Sequence, residues 1–397
     1  MKKSFIYSGT LALLLVGSTA FAQSGRGNTA VTTQTGYKQE ARTLQMGGRA
    51  NVAVVDQSGA KNEALVEQMG GRRNEATVVQ EDYMNDARIR QERGRGNEAT
   101  VEQEGRYNDA YILQEGGRGN EAEVEQEGAA NEALIYQLGG EDNDARIDQE
   151  DAHNDASIDQ LFGEDNDADI DQEGDYNDAY ILQLGGEDND ADIDQDGDDN
   201  TAYIYQLGGE DNDAEIEQDG DDNMAIIVQP YGEDNDADIE QDGDYNMAGI
   251  LQMGEDNDAE IDQDGDYNIA GIAQLGEDNE AEIEQDGDGN IALIGQMGED
   301  NDATIDQDGD GHVAAVLQVG EGNEASIEQD GRSNSALVVQ MGRGNEASIE
   351  QWGRNGEAMI LQEGHRNEAH INQGGYRNTA AIMQSGAHHR AVINQLW

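Results

Sequence analysis

Three carboxylates stand at alternate positions in Asp192-x-Asp194-x-Asp196, and Gly197 follows them. Hard oxygen ligands at that spacing make the opening half of a calcium loop. The bidentate Glu due at position 12 of such a loop is absent, and Tyr203 stands there. Any acidic stretch of period 2 yields the same triplet, and the nine-residue repeat of calcium β-rolls does not fit. Two readings therefore stand together: a calcium ladder on the acidic rows, or a solvated face screened by salt. The fold itself requires no cofactor. Catalysis has little to work with: there is no Cys, only six His, no Gly-x-Ser-x-Gly elbow and no phosphate loop. The carboxylates are equivalent copies, whereas acid–base chemistry needs two in unlike environments. The chain reads as non-enzymatic.

Amides are the second repeated chemistry. Asn189, Ala191, Ile193, Gln195 and Gly197 fall at alternate positions, and Asn200, Ala202, Ile204, Gln206 and Gly208 repeat the order eleven residues on. A period of 2 puts those residues on one face of a strand. The frame Asn-x-Ala-x3-Gln recurs along the chain, for example at Asn97 and Gln103, Asn166 and Gln172, Asn212 and Gln218, Asn323 and Gln329. An unpaired buried amide costs roughly 1–3 kcal/mol. Identical amides one repeat apart satisfy each other as ladders, as in cross-β assemblies.

The elements that position these groups follow from the spacing. Frame starts lie 11 or 12 residues apart up to Asn246 and 11 apart beyond it, separated by tight Gly/Asp turns such as GGED and GDD. Strand, turn, strand, turn makes a rung of about 22–23 residues, and about 33 strands make about sixteen rungs. The expected fold is all-β: a two-sheet β-solenoid with cross-β, amyloid-like stacking, a core ~10 Å thick and a length of ~80 Å. Net charge −65 and 35% hydrophobic content would otherwise suggest disorder. The regular period overrides that reading, because repeats bury a thin core rung by rung.

Residues 1–22 are set apart as a secretory signal peptide: Lys2 and Lys3, the apolar run Leu11 to Val16, and the small-x-small site Ala20-Phe21-Ala22. The repeat domain is expected over 23–397, in a protein secreted through the Sec route. No capping segment is visible beyond the last frame, so open ends are expected to pair with further copies.

Outside the core, alternate strands are chemically opposite. One sheet exposes Asp192, Asp194 and Asp196 and their repeats. The other exposes Tyr180 and Leu182, then Tyr203 and Tyr205, then Ile226 and Val228. An apolar face of that length exceeds what monomers tolerate in water, so a second rod or a hydrophobic surface is expected against it. Between Glu141 and Gly311 the only Arg or Lys is Arg146, while both flanks carry Arg in the turns. Those turns either relieve repulsion where subunits meet or are ordinary solvated charges. The acidic excess repels phosphate, leaving at most weak contact with extracellular DNA.

Gln91-Glu92-Arg93-Gly94-Arg95-Gly96-Asn97-Glu98-Ala99 running on to Gln103, and Gln318-Val319-Gly320-Glu321-Gly322-Asn323-Glu324-Ala325 running on to Gln329, carry a resemblance. They resemble the curlin repeat, Q-x-G-x-G-N-x-A-x3-Q, of bacterial curli fibre subunits, here in an unusually large number of copies. The resemblance covers essentially the whole mature chain. It implies a structural subunit of an extracellular amyloid fibre at the cell surface, in biofilm matrix and adhesion, with Asn and Gln of each repeat as amyloid-core positions. It also implies self-association, a curli-type nucleator, an outer-membrane secretion apparatus, and abiotic or host surfaces as partners. The alternative is a monomeric calcium-binding β-solenoid adhesin or surface-binding rod.

Overall fold

The computed structural model describes residues 18–23 and 25–395, and every regular element in them is a β-strand. Lys2, Lys3, the run Leu11 to Val16 and Trp397 lie outside the described residues. The 34 strands alternate between two sheets of 17, giving a β-solenoid of about 16 turns. Within each sheet every pairing is parallel and joins strands one full turn apart, as Asp190–Asp196 joins Asp167–Glu173. Neither sheet closes on itself among the described residues. At one end Thr29–Tyr37 pairs only with Val52–Ala60, and at the other Arg390–Gln395 pairs only with Glu368–Tyr376.

Identical residues stack in register because the frame is identical. Ile193 lies between Ile170 and Ile216, and Gln195 lies between Gln172 and Gln218. The alternation expected from period 2 is complete: Ala191, Ile193, Ala202 and Ile204 are all 0% exposed, and the residues between them face outward. Each rung adds about two Ile and two Ala to the core, and truncating one such Ile to Ala removes roughly 2–5 kcal/mol.

One strand stands outside the frame. Ser18–Gln23 lies parallel to Glu40–Met46, with Ala22 opposite Gln45. The cleavage site expected after Ala22 falls inside this strand. The other 33 of the 34 strands carry the frame.

Rung length changes once. Gln218 reaches Gln241, 23 residues on, whereas Gln241 reaches Gln263, 22 residues on. The step lies in Met224–Glu233, whose register against Met247–Glu255 shifts between Val228 and Glu233. Before it the turn reads Leu207-Gly208-Gly209-Glu210; after it, Met253-Gly254-Glu255 has lost one glycine. Pro230, the single proline, sits at the step, where a residue without an N–H interrupts the ladder least.

The turns tolerate two kinds of residue for different reasons. Gly209 has φ +107°, and a Cβ there would lie 2.2 Å from the Gly232 carbonyl oxygen of the next rung. Two residues later Asp211 also has positive φ, 54°, but Asp is among the residues that accept the left-handed region. Gly209→Ala is therefore expected to lower unfolding free energy by about 2 kcal/mol or more, and Asp211→Gly to change it by less than about 1 kcal/mol. Urea denaturation of the two variants checks the difference, and equal losses would contradict this account of the turn.

Candidate functional site: amide ladders and two outer faces

Glutamine forms continuous ladders in both sheets. In one, Gln172 Nε2 donates to Gln195 Oε1, Gln195 to Gln218 and Gln218 to Gln241, each at 2.8 Å. Gln103 and Gln329 belong to the same row, donating to Gln126 at 2.8 Å and Gln351 at 2.7 Å. In the other sheet Gln206 Nε2 donates to Gln229 Oε1 at 3.1 Å. Its amide also reaches the Asp190 and Asn212 carbonyl oxygens, at 2.6 and 3.0 Å. One side chain thus ties the rung to the next rung, to the opposite sheet and to its own turn.

Asparagine behaves differently in its two rows. From Asn166 to Asn367 one row is a side-chain ladder: Asn189 Nδ2 donates to Asn166 Oδ1 at 3.0 Å, Asn212 to Asn189 at 2.8 Å and Asn323 to Asn301 at 3.0 Å. In the other row Asn200 Nδ2 donates to the Gly220 carbonyl at 2.7 Å, and its backbone N–H reaches Asn177 Oδ1 at 2.9 Å. Asn97 likewise donates to the Gly116 carbonyl, at 2.9 Å. The expectation that Asn pairs with Asn everywhere is corrected in these places: Asn200 and Asn97 donate to a turn carbonyl and to no asparagine, whereas Asn212 in the ladder donates to Asn189 and also to the Gly232 carbonyl, at 3.3 Å.

His312 takes an asparagine place in the Asn200 row and is fully buried. Its Nδ1 accepts the Asn334 backbone N–H at 3.3 Å, while Nε2 has no partner. Burial holds its pKa below the ordinary imidazole value. The neighbouring Asn290 instead donates to the Gly309 carbonyl at 2.9 Å. His312→Asn is expected to restore that bond one rung on and to raise stability by about 1 kcal/mol, read as a higher urea midpoint.

The two outer faces are segregated as the alternation requires. Asp169, Asp192 and Glu215 stack on one sheet, beside Asp171, Asp194 and Glu217. Six carboxylates from three rungs, Asp171, Glu173, Asp194, Asp196, Glu217 and Asp219, line a shallow depression of about 160 Å³. Asp192, Asp194 and Asp196 themselves do not converge, because alternate side chains on a strand are spaced ~6.6 Å apart. Among the described residues the one trio of possible ligands that does converge is Glu346, Glu368 and His370, and Arg390 bonds Glu368 at 3.2 Å.

On the other sheet Tyr180, Tyr203, Ile226 and Gly249 form one outward row, with Leu182, Tyr205, Val228 and Leu251 beside it. Tyr180 meets Tyr205 edge-on at 5.7 Å, and Tyr203 Oη donates to Asp178 at 3.3 Å. Further along, Leu293 and Met297 are half exposed, at 50% and 51%. Along one corner the basic flanks meet the acidic block in cross-rung ion pairs, Arg118 with Glu141 and Arg343 with Glu321.

Carboxylates in the acidic rows are hard to ionise. Partial burial, with Asp169 and Glu215 on either side, pushes Asp192 up to about 7. Burial and like-charged neighbours push Asp171 and Asp238 up to about 6. The folded chain therefore binds more protons than the unfolded chain between about pH 4 and pH 7, and stability falls as pH rises through that window. The urea midpoint is expected to drop from pH 4.5 to pH 8, with the drop shrinking in about 1 M salt. Asp192→Asn is expected to add about 1 kcal/mol at pH 8, after allowance for its exposure, and nothing near pH 4. A midpoint that rises with pH would contradict this.

No curated protein is detectably similar to the chain. The Curlin associated repeat matches it in thirteen segments between residues 48 and 396, among them 94–128, 186–220 and 298–331, leaving only 82–83 and 151–162 unmatched in that span. Each match brings inward the Asn, Ala and Gln described above, and the family is one of structural fibre proteins rather than enzymes. The chain belongs to the curlin-repeat family.

Proposed function

We propose that the protein is a secreted structural subunit that polymerises end to end into a curli-like amyloid fibre, in which the Asn and Gln rows are the cross-β core. The observation that carries this reading is the in-register amide ladder, whose two end strands in one sheet, Thr29–Tyr37 and Arg390–Gln395, each have a single strand partner among the described residues. At the last rung Ala391 and Ile393 are only partly covered, and Gln395 Nε2 has the Thr379 carbonyl, at 3.2 Å, as its one protein partner among the described residues. Interior glutamines of the same row use that nitrogen for the next glutamine as well. At the first rung Gln34 donates to Gln57 at 2.7 Å.

Placing Arg390–Gln395 of one copy on Thr29–Tyr37 of the next continues the register of that one sheet, with Ala391 on Ala30, Ile393 on Thr32 and Gln395 on Gln34. The outward residues that then meet are Arg390, Val392 and Asn394 with Thr29, Val31 and Thr33. None is a carboxylate, so the junction avoids the like-charge stacking of the middle rungs. Unpaired strand edges of this kind template addition of further strands. Family membership supports the extracellular setting, and the nucleator, secretion apparatus and biofilm role come to this chain on that ground. Calcium is not required. A cation held by the acidic rows would bridge carboxylates of neighbouring rungs, since those of one strand do not converge.

Purified mature protein is expected to form thioflavin-positive filaments with a ~4.8 Å axial repeat by cryo-EM or fibre diffraction. A persistent monomer under the same conditions would overturn the reading and favour the monomeric rod.

A further inference from the structure

The outward apolar face contains glycines that its own rod does not need. Gly249 and Gly295 lie in strand interiors with no positive φ. A Cβ at Gly295 would meet only Leu317 Cδ1, at 3.4 Å, and one at Gly249 would meet Ile226 Cγ2 at 3.3 Å. Leu317 Cδ1 is the end of a flexible side chain, and Ile226 Cγ2 needs to give by only a few tenths of an ångström, so neither glycine is required by backbone contact within its own rod. Glycine in a strand interior weakens it and often marks close approach of another surface.

The third and fifth residues of each strand in this sheet both point outward, flanking the midpoint of the strand. In three rungs their sizes are complementary. Gly249 accompanies Leu251, Leu293 accompanies Gly295, and Ala315 accompanies Leu317. A two-fold axis parallel to the rod, passing over the strand midpoints, brings the third position of one rod over the fifth position of a second rod at the same level. Leu251 of one copy then enters the notch at Gly249 of the other, and Leu293 enters the notch at Gly295.

We infer that two copies of this chain pair side by side, in parallel, through the apolar sheet face, with leucines seated in the glycine notches of the facing rod. This deepens the fibre reading but does not need it, because the contact lies between rods rather than between their ends. Charge supports the choice of occupant: the opposite sheet carries the acidic rows, so pairing through the apolar sheet puts both acidic faces outward, away from each other. The size is sufficient as well. Eight strands, Asp178–Leu184 to Ser335–Arg343, span about 38 Å by 20 Å, or about 1,500 Å² for both copies, within the range of stable specific interfaces. A parallel two-fold also leaves both rods pointing the same way, so paired rods lengthen together.

The chain has no cysteine, which makes single-cysteine pairs clean probes. Full-length mature Leu293→Cys and Gly295→Cys chains, mixed one to one and oxidised, are expected to give a covalent dimer. A Glu282→Cys and Glu284→Cys mixture, from the acidic face, should give at least about tenfold less. End-to-end neighbours cannot produce the first product, since these residues lie mid-rod, and it reads pairing whether or not filaments grow. The Gly249→Leu, Gly295→Leu double variant is expected to halve the mass per length of filaments while leaving thioflavin binding and folding intact. Equal cross-linking on both faces, or an unchanged mass per length in a folded double variant, would overturn the inference. Single wild-type rods that adsorb to hydrophobic beads would overturn it too, in favour of adhesion; failure to form filaments at all, with the dimer still trapped, would sink only the end-to-end reading.

Discussion

Stacking of like upon like, one rung apart, is the constraint on which everything else in this protein depends. A parallel in-register ladder offers each side chain a copy of itself as its nearest neighbour along the axis. For Ile193 and Ala191 that is simple packing. For Gln195 it is a hydrogen bond whose partner is guaranteed, since an amide is both donor and acceptor. Serine or lysine in the same place could not close a ladder and also reach the opposite sheet. The buried amides therefore do the work that disulfides or a thick core do in other proteins, and they do it in a chain with no cysteine.

The same constraint works against the acidic face. A row such as Asp169, Asp192 and Glu215 repeats a like charge at every rung, and the structure offers it little relief beyond partial neutralisation. Core ladders and surface repulsion thus oppose each other along the whole length, and pH and salt set the balance. The flanks differ. There Arg118 and Arg343 close the acidic corner row at its two ends by pairing with Glu141 and Glu321.

Much of this was legible in the residues. Period 2 located the inward set, the frame spacing set the rungs, and the shift from 12- to 11-residue spacing after Asn246 marks the shortening of the rung that the structure places at Pro230. The segregation of Tyr203 and Tyr205 from Asp192 and Asp194 was equally plain. What spacing could not reveal were features decided by backbone direction in the turns. Asn200 and Asn212 occupy the same place in the frame, yet Asn200 donates to a turn carbonyl alone and Asn212 to both an asparagine and a turn carbonyl. Ser18–Gln23 is a strand that no frame announces, although it pairs with Glu40–Met46. The left-handed Asp211 is likewise invisible until φ is known, although Asp is one of the few residues suited to it.

The amide ladders also run in a definite sense. Every glutamine described above donates toward the C-terminal end, whereas the asparagine column from Asn166 to Asn367 donates toward the N-terminal end. Aligned amide dipoles add, as they do along a helix. Two glutamine columns against one partial asparagine column leave a residual axial dipole, with its positive pole at the C-terminal face. The rod is in that respect a polar object, and its two faces differ electrically even where their shapes match.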